Sequence, residues 1–279
     1  MGLFCDKKND TFVFLKKKFI LILFALAVLT TSCDHFNRIL KSNDYAFKLT
    51  KAKEYYDKGQ YTKSSQLYEE LIPVVKGTDM AEEVYYYYTW SEYNLGDFIL
   101  GQYHFKNYTR QFPAGKHVEE CYFMNAYCFF LTSANYKLDQ TSTKNAIKEF
   151  QSFVDVFPES SRIDTCNKIM DKLRGKLEKK DYEIIKQYYK LSDWKAAIVA
   201  TKIFVKDYPA SVYNEEMFYI LIDSYYLLAI NSINSKKPER LEAAMENYLK
   251  FLDLYPNSSY LSRVETVYNN CKRLKENLK

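Results

Sequence analysis

The chain has 279 residues, of which 47% are hydrophobic and 27% are charged, an ordinary globular mixture for which disorder is not the default expectation. Aromatic residues make up 17% of the chain while glycine and proline number only seven and six, so much apolar surface is to be buried with few turns. The net charge is +5, or +2 (35 basic minus 33 acidic residues) without residues 1–32, and no basic stripe favours nucleic acid as a partner.

The N-terminus has the pattern of an export signal. Three lysines precede an apolar run, Phe19–Leu29, and three small residues then lead to Cys33. The run is too short to cross a bilayer as a helix, which takes about 20 residues, so we expect residues 1–32 to be a cleaved signal peptide. Cys33 resembles the acceptor cysteine of the bacterial lipobox, although Thr30 stands where leucine is usual. We therefore expect a diacylglycerol and acyl (palmitate) anchor on Cys33 with a linker at 33–42; a plain secretory signal is the alternative.

Five later segments share one helical pattern. Each has a small residue, at Ser64, Gly101, Ala146, Ala197 and Ala244. Bulky residues follow in most segments after four positions, at Tyr68, Phe105, Phe150, Thr201 and Tyr248, and after seven, at Leu71, Tyr108, Phe153, Phe204 and Phe251. Twelve positions on stand Lys76, Pro113, Pro158, Pro209 and Pro256. These spacings predict one buried stripe on a helix that the proline ends.

Each of these helices follows another, and a glycine or serine at Gly59, Gly96 and Ser192 allows a tight turn between the two. The first helices are expected at about Asp44–Lys58, Met80–Leu95, Val118–Leu138, Ile163–Leu191 and Glu215–Ser232, with a final helix at about Tyr260–Leu278. The pattern resembles the tetratricopeptide repeat. It predicts an all-α fold over 43–279, an α-solenoid of about five tetratricopeptide-like helix pairs plus a C-terminal capping helix, with an N-terminal half at about 43–160 and a C-terminal half at about 161–279.

No catalytic or metal site is predicted. The three histidines are scattered and the cysteines have no metal-binding spacing. We expect buried free thiols at Cys121, Cys128, Cys166 and Cys271. Phosphate-binding loops and nucleophile motifs are absent from the sequence, so we predict a protein that is not an enzyme and carries no cofactor besides the lipid.

Stacked helix pairs leave an open concave surface that suits segments of other proteins. Two stripes at helical spacing are predicted to line a substrate groove near the N-terminus: Leu49, Lys53 and Tyr56, and Tyr86, Trp90 and Tyr93. Ordinary packing between helices is the alternative. The charged residues between Lys168 and Lys180 are interpreted as a solvated helix face, with a docking surface as the alternative.

Together, the lipobox cysteine and the five repeats resemble the BamD family, the lipoproteins of the outer-membrane β-barrel assembly machinery. The likeness is greatest from Ala146 to Ser161 and around Tyr188, Trp194 and Pro209, and it covers roughly residues 40–260. The resemblance implies a scaffold on the periplasmic face of the outer membrane. Its C-terminal repeats would hold the periplasmic domains of the barrel insertase, and its N-terminal repeats would receive unfolded outer-membrane proteins.

The sequence leaves two other functions open. A SusD-like glycan-binding lipoprotein also uses tetratricopeptide-like helices and aromatic platforms, but such proteins are about twice as long and carry insertions that this chain lacks. A general cell-envelope repeat adaptor is the second. Asp34 directly follows the anchor cysteine. In some bacteria an aspartate at this position retains a lipoprotein at the inner membrane, so the inner membrane is the alternative to the expected outer membrane.

Overall fold

The computed structural model describes residues 35–278, and within that range the regular structure is entirely helical. Residues 35–40 are helical, and eleven further α-helices follow: α1 (Tyr45–Asp57), α2 (Tyr61–Leu71), α3 (Ala81–Asn94), α4 (Phe98–Gln111), α5 (Val118–Leu131), α6 (Thr141–Val156), α7 (Ile163–Lys190), α8 (Trp194–Asp207), α9 (Asn214–Ile230), α10 (Lys237–Leu254) and α11 (Leu261–Glu276). A short 3₁₀ turn at Asn234–Lys236 precedes α10. The predicted all-α fold of successive helix pairs with a last single helix is confirmed.

The described helices form two compact units, and the chain passes from one to the other between Thr132 and Ser133. In the first unit each helix from α1 to α5 packs on the next, and in the second the same holds from α6 to α11. The division lies in the connection between α5 and α6, upstream of the boundary near residue 160 that the repeat count suggests.

The repeated positions form the cores of both units. All fifteen residues at the small position and at the fourth and seventh positions after it are buried. The small residues allow close approach of helices. At Gly101, for example, a Cβ would lie 3.4 Å from the Cys128 sulfur and 3.7 Å from the Tyr93 Cα. A larger side chain there would force α3 and α5 away from α4.

Four second helices end in the same way. The residues that cap α4, α6, α8 and α10 have φ between −134° and −124°, and each donates its backbone N–H to the carbonyl four residues earlier: Phe112, Phe157, Tyr208 and Tyr255. A proline follows each one, and proline pushes the preceding residue into extended backbone. The predicted ends of these four helices are therefore confirmed, and the proline is their cause.

Three of the five turns between paired helices contain a residue in the left-handed region. Gly59, Gly96 and Ser192 have φ of 69°, 86° and 61°. In two of these turns the residue that directly follows is an aspartate that caps the second helix. The Asp97 and Asp193 carboxylates each accept a hydrogen bond from the backbone N–H three residues later, at 2.9 and 3.1 Å. Serine is strained in the left-handed conformation, which glycine adopts without a steric clash.

The first helices begin and end within about two residues of expectation, except α5. It stops at Leu131, and the expected extension to Leu138 was wrong. The Thr132 hydroxyl donates to the Cys128 carbonyl at 3.1 Å, and the following carbonyls of Ser133 and Ala134 bond to Lys176 instead of continuing the helix.

The long helix α7 is less solvated than its charges suggested. Lys176 and Lys180 are half-buried, and their ammonium groups donate to backbone carbonyls of residues 133–138. Burial lowers the pKa of Lys176, with Lys172 adding to the effect. The interpretation of a simple solvated face was therefore wrong for these two lysines, which hold a loop in place.

Candidate protein-binding groove

The four consecutive tyrosines of α3 point to different neighbours. Tyr85 and Tyr88 are buried and meet the edge of the His104 ring on α4, at centroid distances of 5.9 and 4.8 Å. The Tyr85 hydroxyl also lies 3.0 Å from the His104 Nδ1. These two tyrosines belong to the core between α3 and α4.

Tyr87 faces the opposite way, toward α1 and α2. Its ring centroid lies 4.9 Å from that of Tyr56 in an edge-to-face contact and 5.9 Å from that of Tyr68, on which it stacks. The Lys53 ammonium lies 5.0 Å from the Tyr87 centroid, within cation–π range. Tyr56, Tyr87 and Lys53 thus form one aromatic and cationic wall.

A cavity of about 200 Å³ opens beside this wall. Leu49 and Lys53 of α1 line one side, and Glu83, Val84 and Tyr87 of α3 line the other, with Met80 and Tyr68 nearby. Pockets for drug-sized ligands usually measure about 300–1,000 Å³. The size therefore suits one or two side chains of a bound polypeptide better than a cofactor.

One polar atom at this cavity has no hydrogen-bond partner in the part of the chain that the structure describes. Tyr68 is 1% exposed, and its hydroxyl has no hydrogen-bond partner among the described residues. A buried hydroxyl without a partner is costly. A peptide carbonyl entering the cavity would give this hydroxyl an acceptor.

The charges at the cavity are mixed. Lys53 and Glu83 lie on opposite sides, and the hydrogen bond from Lys53 to Asp57 raises the pKa of the lysine. Burial raises the pKa of Tyr56 to about 12, so its hydroxyl stays protonated at neutral pH. The groove therefore offers one ammonium group, one carboxylate and the hydroxyl groups of its tyrosines, a balance that favours aromatic or apolar side chains over a strongly charged ligand.

Three of the predicted groove residues lie on another face of α3. Tyr86 stacks on His117 with 3.9 Å between ring centroids and donates to the Glu120 carboxylate at 2.8 Å. Trp90 and Tyr93 pack on Phe105 of α4, at 5.4 and 6.0 Å.

The structure thus divides the six predicted groove residues. Leu49 and Lys53 line the cavity and Tyr56 contacts its wall, whereas Tyr86, Trp90 and Tyr93 are directed to α4 and α5. Sequence reasoning missed Met80, directly before α3, and Glu83, Val84 and Tyr87 within it. Their spacing of three, four and seven also marks one helical stripe, and it differs from the predicted stripe by one position, or about 100°.

The hydrogen bond from the Tyr86 hydroxyl to the Glu120 carboxylate in the first unit has a counterpart in the second unit. Tyr182 of α7 stacks on Tyr213 at 4.0 Å and donates to Glu216. These residues stand 96 positions after Tyr86, His117 and Glu120 respectively. In both units the donor and acceptor are 34 residues apart, the length of a standard tetratricopeptide repeat.

The potential metal ligands of the described residues are not clustered. No three histidine, cysteine or carboxylate side chains within residues 35–278 are grouped so as to hold a metal ion. The four cysteines Cys121, Cys128, Cys166 and Cys271 are free and buried, as predicted. Burial raises the pKa of Cys128 to about 12 and lowers that of His104 to about 4, so neither is an active nucleophile or base at neutral pH.

The predicted lipid anchor, Cys33, and the signal peptide lie outside the described residues. Within residues 35–278 no helix combines the length and the apolar character that spanning a bilayer takes.

Comparison with known proteins gives one family. The family model described as "YfiO: Outer membrane lipoprotein" matches residues 43–241. No curated protein matches the chain. Among solved structures, the TPR2AB-domain:pHSP90 complex of yeast Sti1 aligns with a TM-score of 0.40 and 13% identity, over 82% of this chain and 98% of the other.

Proposed function

Because the chain belongs to the YfiO family of outer membrane lipoproteins, we propose that it is a non-enzymatic scaffold of the outer-membrane β-barrel assembly complex. It binds the periplasmic domains of the barrel insertase and unfolded outer-membrane proteins. The observation that carries the proposal is the family match over residues 43–241, which spans both compact units. This match favours barrel assembly over glycan binding.

The groove beside Tyr87 supports the binding of an extended polypeptide. It has the volume of one or two side chains, and the Tyr68 hydroxyl at its margin has no partner among the described residues. An aromatic side chain of an unfolded barrel protein would stack on Tyr87 while its backbone carbonyl accepts a hydrogen bond from the Tyr68 hydroxyl. We assign substrate binding to the first unit for this reason, and insertase binding to the second by resemblance to the family.

The lipid on Cys33 places the protein at the periplasmic face of the outer membrane in this proposal. A single acyl chain binds a membrane only marginally, whereas two or more hold it stably. A diacylglycerol with a further acyl group is therefore sufficient for a permanent anchor, and the linker at 33–42 joins it to the helices.

Photo-crosslinking tests the groove. A benzophenone amino acid replaces Leu49 in one variant and Ile99 in another; Ile99 is 68% exposed on α4 and does not line the cavity. We expect crosslinks to unfolded outer-membrane proteins from position 49 and few from position 99. Equal crosslinking from both positions would remove the groove from the proposal.

Affinity capture tests the scaffold role as a whole. The full chain with Cys33 intact is purified in mild detergent beside a Cys33→Ala control that lacks the acceptor thiol. Co-purification of a barrel protein with periplasmic domains, and loss of many outer-membrane barrels on depletion, is the expected result. Capture of a different transporter, with normal barrel levels on depletion, would contradict it.

A further inference from the structure

A second site lies in the second unit, where two lysines of α7 fix the loop at 133–138. Lys176 donates to the carbonyls of Ser133 and Ala134 at 3.2 and 3.1 Å. Lys180 donates to the carbonyls of Tyr136 and Leu138 at 3.2 and 2.7 Å. These bonds hold Tyr136 and its neighbour Lys137 against α7.

An open cavity of about 430 Å³ lies between this loop and α7. Lysines predominate among its lining residues, which include Lys137, Lys180, Lys186, Lys190, Glu183 and Ile184. On α7 the lining positions 180, 183, 184, 187 and 190 form one helical stripe. The cavity thus brings four ammonium groups to one face.

The carboxylates near the cavity do not neutralise it. Glu183 is paired at 2.8 Å with Lys179, which does not line the cavity, and Glu216 is paired at 3.2 Å with Lys186. The partners of Lys180 are carbonyl groups, which carry no net charge. Lys137, Lys180 and Lys190 therefore leave an excess of positive charge.

An apolar cavity of about 170 Å³ adjoins the first, since Ile184 lines both. Its other walls include Ile185, Ile203 and Phe204. Ile203 is 54% exposed, a large apolar surface for a side chain in water. The two carboxylates at its edge, Asp181 and Asp207, would repel an acidic group and favour an uncharged one.

We propose that the two cavities together bind a linear segment of a partner protein in which carboxylates are followed by a large aliphatic or aromatic residue. The carboxylates lie among the lysines and the apolar side chain lies between Ile184 and Ile203. A free phosphate would account for the lysines but not for the adjoining apolar cavity. The inference stands independently of the proposed role in barrel assembly.

Fluorescence anisotropy with a synthetic peptide tests this site. The labelled peptide carries three adjacent carboxylates followed by two leucines, and the protein is the full chain. We expect saturable binding that weakens with added salt. The double variant Lys137→Glu/Lys190→Glu, which reverses two exposed charges, is expected to weaken binding by at least about tenfold.

Matched controls separate the site from general charge. Lys148→Glu/Lys250→Glu makes the same change in net charge at exposed positions outside both cavities and leaves binding unchanged. Ile203→Ser weakens binding severalfold, whereas Val199→Ser, at 59% exposure on the same helix, does not. Absence of saturable binding, or equal losses in site and control variants, would overturn the proposal. The proposal would also be overturned, in favour of a lipid ligand, if phosphatidylglycerol vesicles bound the protein through the same lysines and the peptide did not compete with them.

Discussion

Replacing Ser192 by glycine should stabilise the second unit. Ser192 has φ of 61°, and an L-residue in the left-handed region costs about 1–2 kcal/mol. Glycine avoids this cost but loses about 0.5–1 kcal/mol more conformational entropy on folding. The free energy of unfolding is therefore expected to rise by about 0.5–1 kcal/mol.

Substitutions at two glycines provide matched comparisons for the effect of Ser192→Gly on stability. Gly96 is the equivalent turn residue in the first unit, with φ of 86° and no atom within 4 Å of an added Cβ, so Gly96→Ala should lose about 1 kcal/mol through the backbone alone. Gly175 lies inside α7 and likewise has nothing within 4 Å of an added Cβ. Gly175→Ala should therefore gain up to about 1 kcal/mol from helix propensity.

The two tryptophans allow each unit to be followed separately. Trp90 belongs to the first unit and Trp194 to the second, so single-tryptophan variants in urea report one unit each by fluorescence. Ser192→Gly should raise the urea midpoint seen by Trp194 and leave the midpoint seen by Trp90 unchanged. A lower Trp194 midpoint for Ser192→Gly would show that the serine side chain contributes more than the backbone strain costs, and would refute the reasoning.

Three further outcomes are expected. Phe150→Ala removes a fully buried ring of the second unit and should cost about 3–5 kcal/mol in urea unfolding; a cost below 1 kcal/mol would contradict its place in the core. Gly115→Ala would place a Cβ 2.9 Å from the Glu82 carboxylate and should cost about 1–3 kcal/mol, read from the urea midpoint of the first unit; an unchanged midpoint would show that the carboxylate moves freely. Burial lowers the pKa of His104 to about 4. As the pH falls from about 6.5 to about 4, the unfolded chain therefore binds a proton at this residue that the folded chain does not bind. The free energy of unfolding is expected to fall by about 2–3 kcal/mol over this range. Urea unfolding at several pH values should show this loss reduced in His104→Gln, and an identical pH dependence in both would contradict it.

Residue spacing alone located the helices and their buried faces. Positions such as Ala146, Phe150 and Phe153 are separated by four and three residues and precede Pro158, and each residue type has a direct physical consequence for a helix. The same argument placed the turn at Ser192, because a paired helix requires a reversal there. These are local requirements, and they can be read without knowing what each helix contacts.

The groove depended on contacts that spacing does not specify. Tyr86 and Tyr87 are adjacent, identical in type and both half-buried, yet one meets His117 and the other meets Tyr56. Since every face of α3 carries a tyrosine or tryptophan, residue type could not tell which stripe borders the cavity. The predicted solvated environment of Lys176 was wrong for a related reason. Its carbonyl partners lie more than forty positions away, in a loop where the residue pattern predicts a helix.

The bonds from Tyr86 to Glu120 and from Tyr182 to Glu216 have a consequence for how the chain tolerates changes in length. Each span of 34 residues contains two short connections, at 95–97 and 112–117 in the first span and at 191–193 and 208–213 in the second, whereas the longest connections, at 72–80 and 132–140, lie outside the spans. Residues can be gained or lost in those connections without altering the register of the bonded helices. The connection that carries Lys137 and borders the lysine-lined cavity is one of them, so the ligand preference of that surface can diverge between related proteins while the helical framework beneath it stays the same.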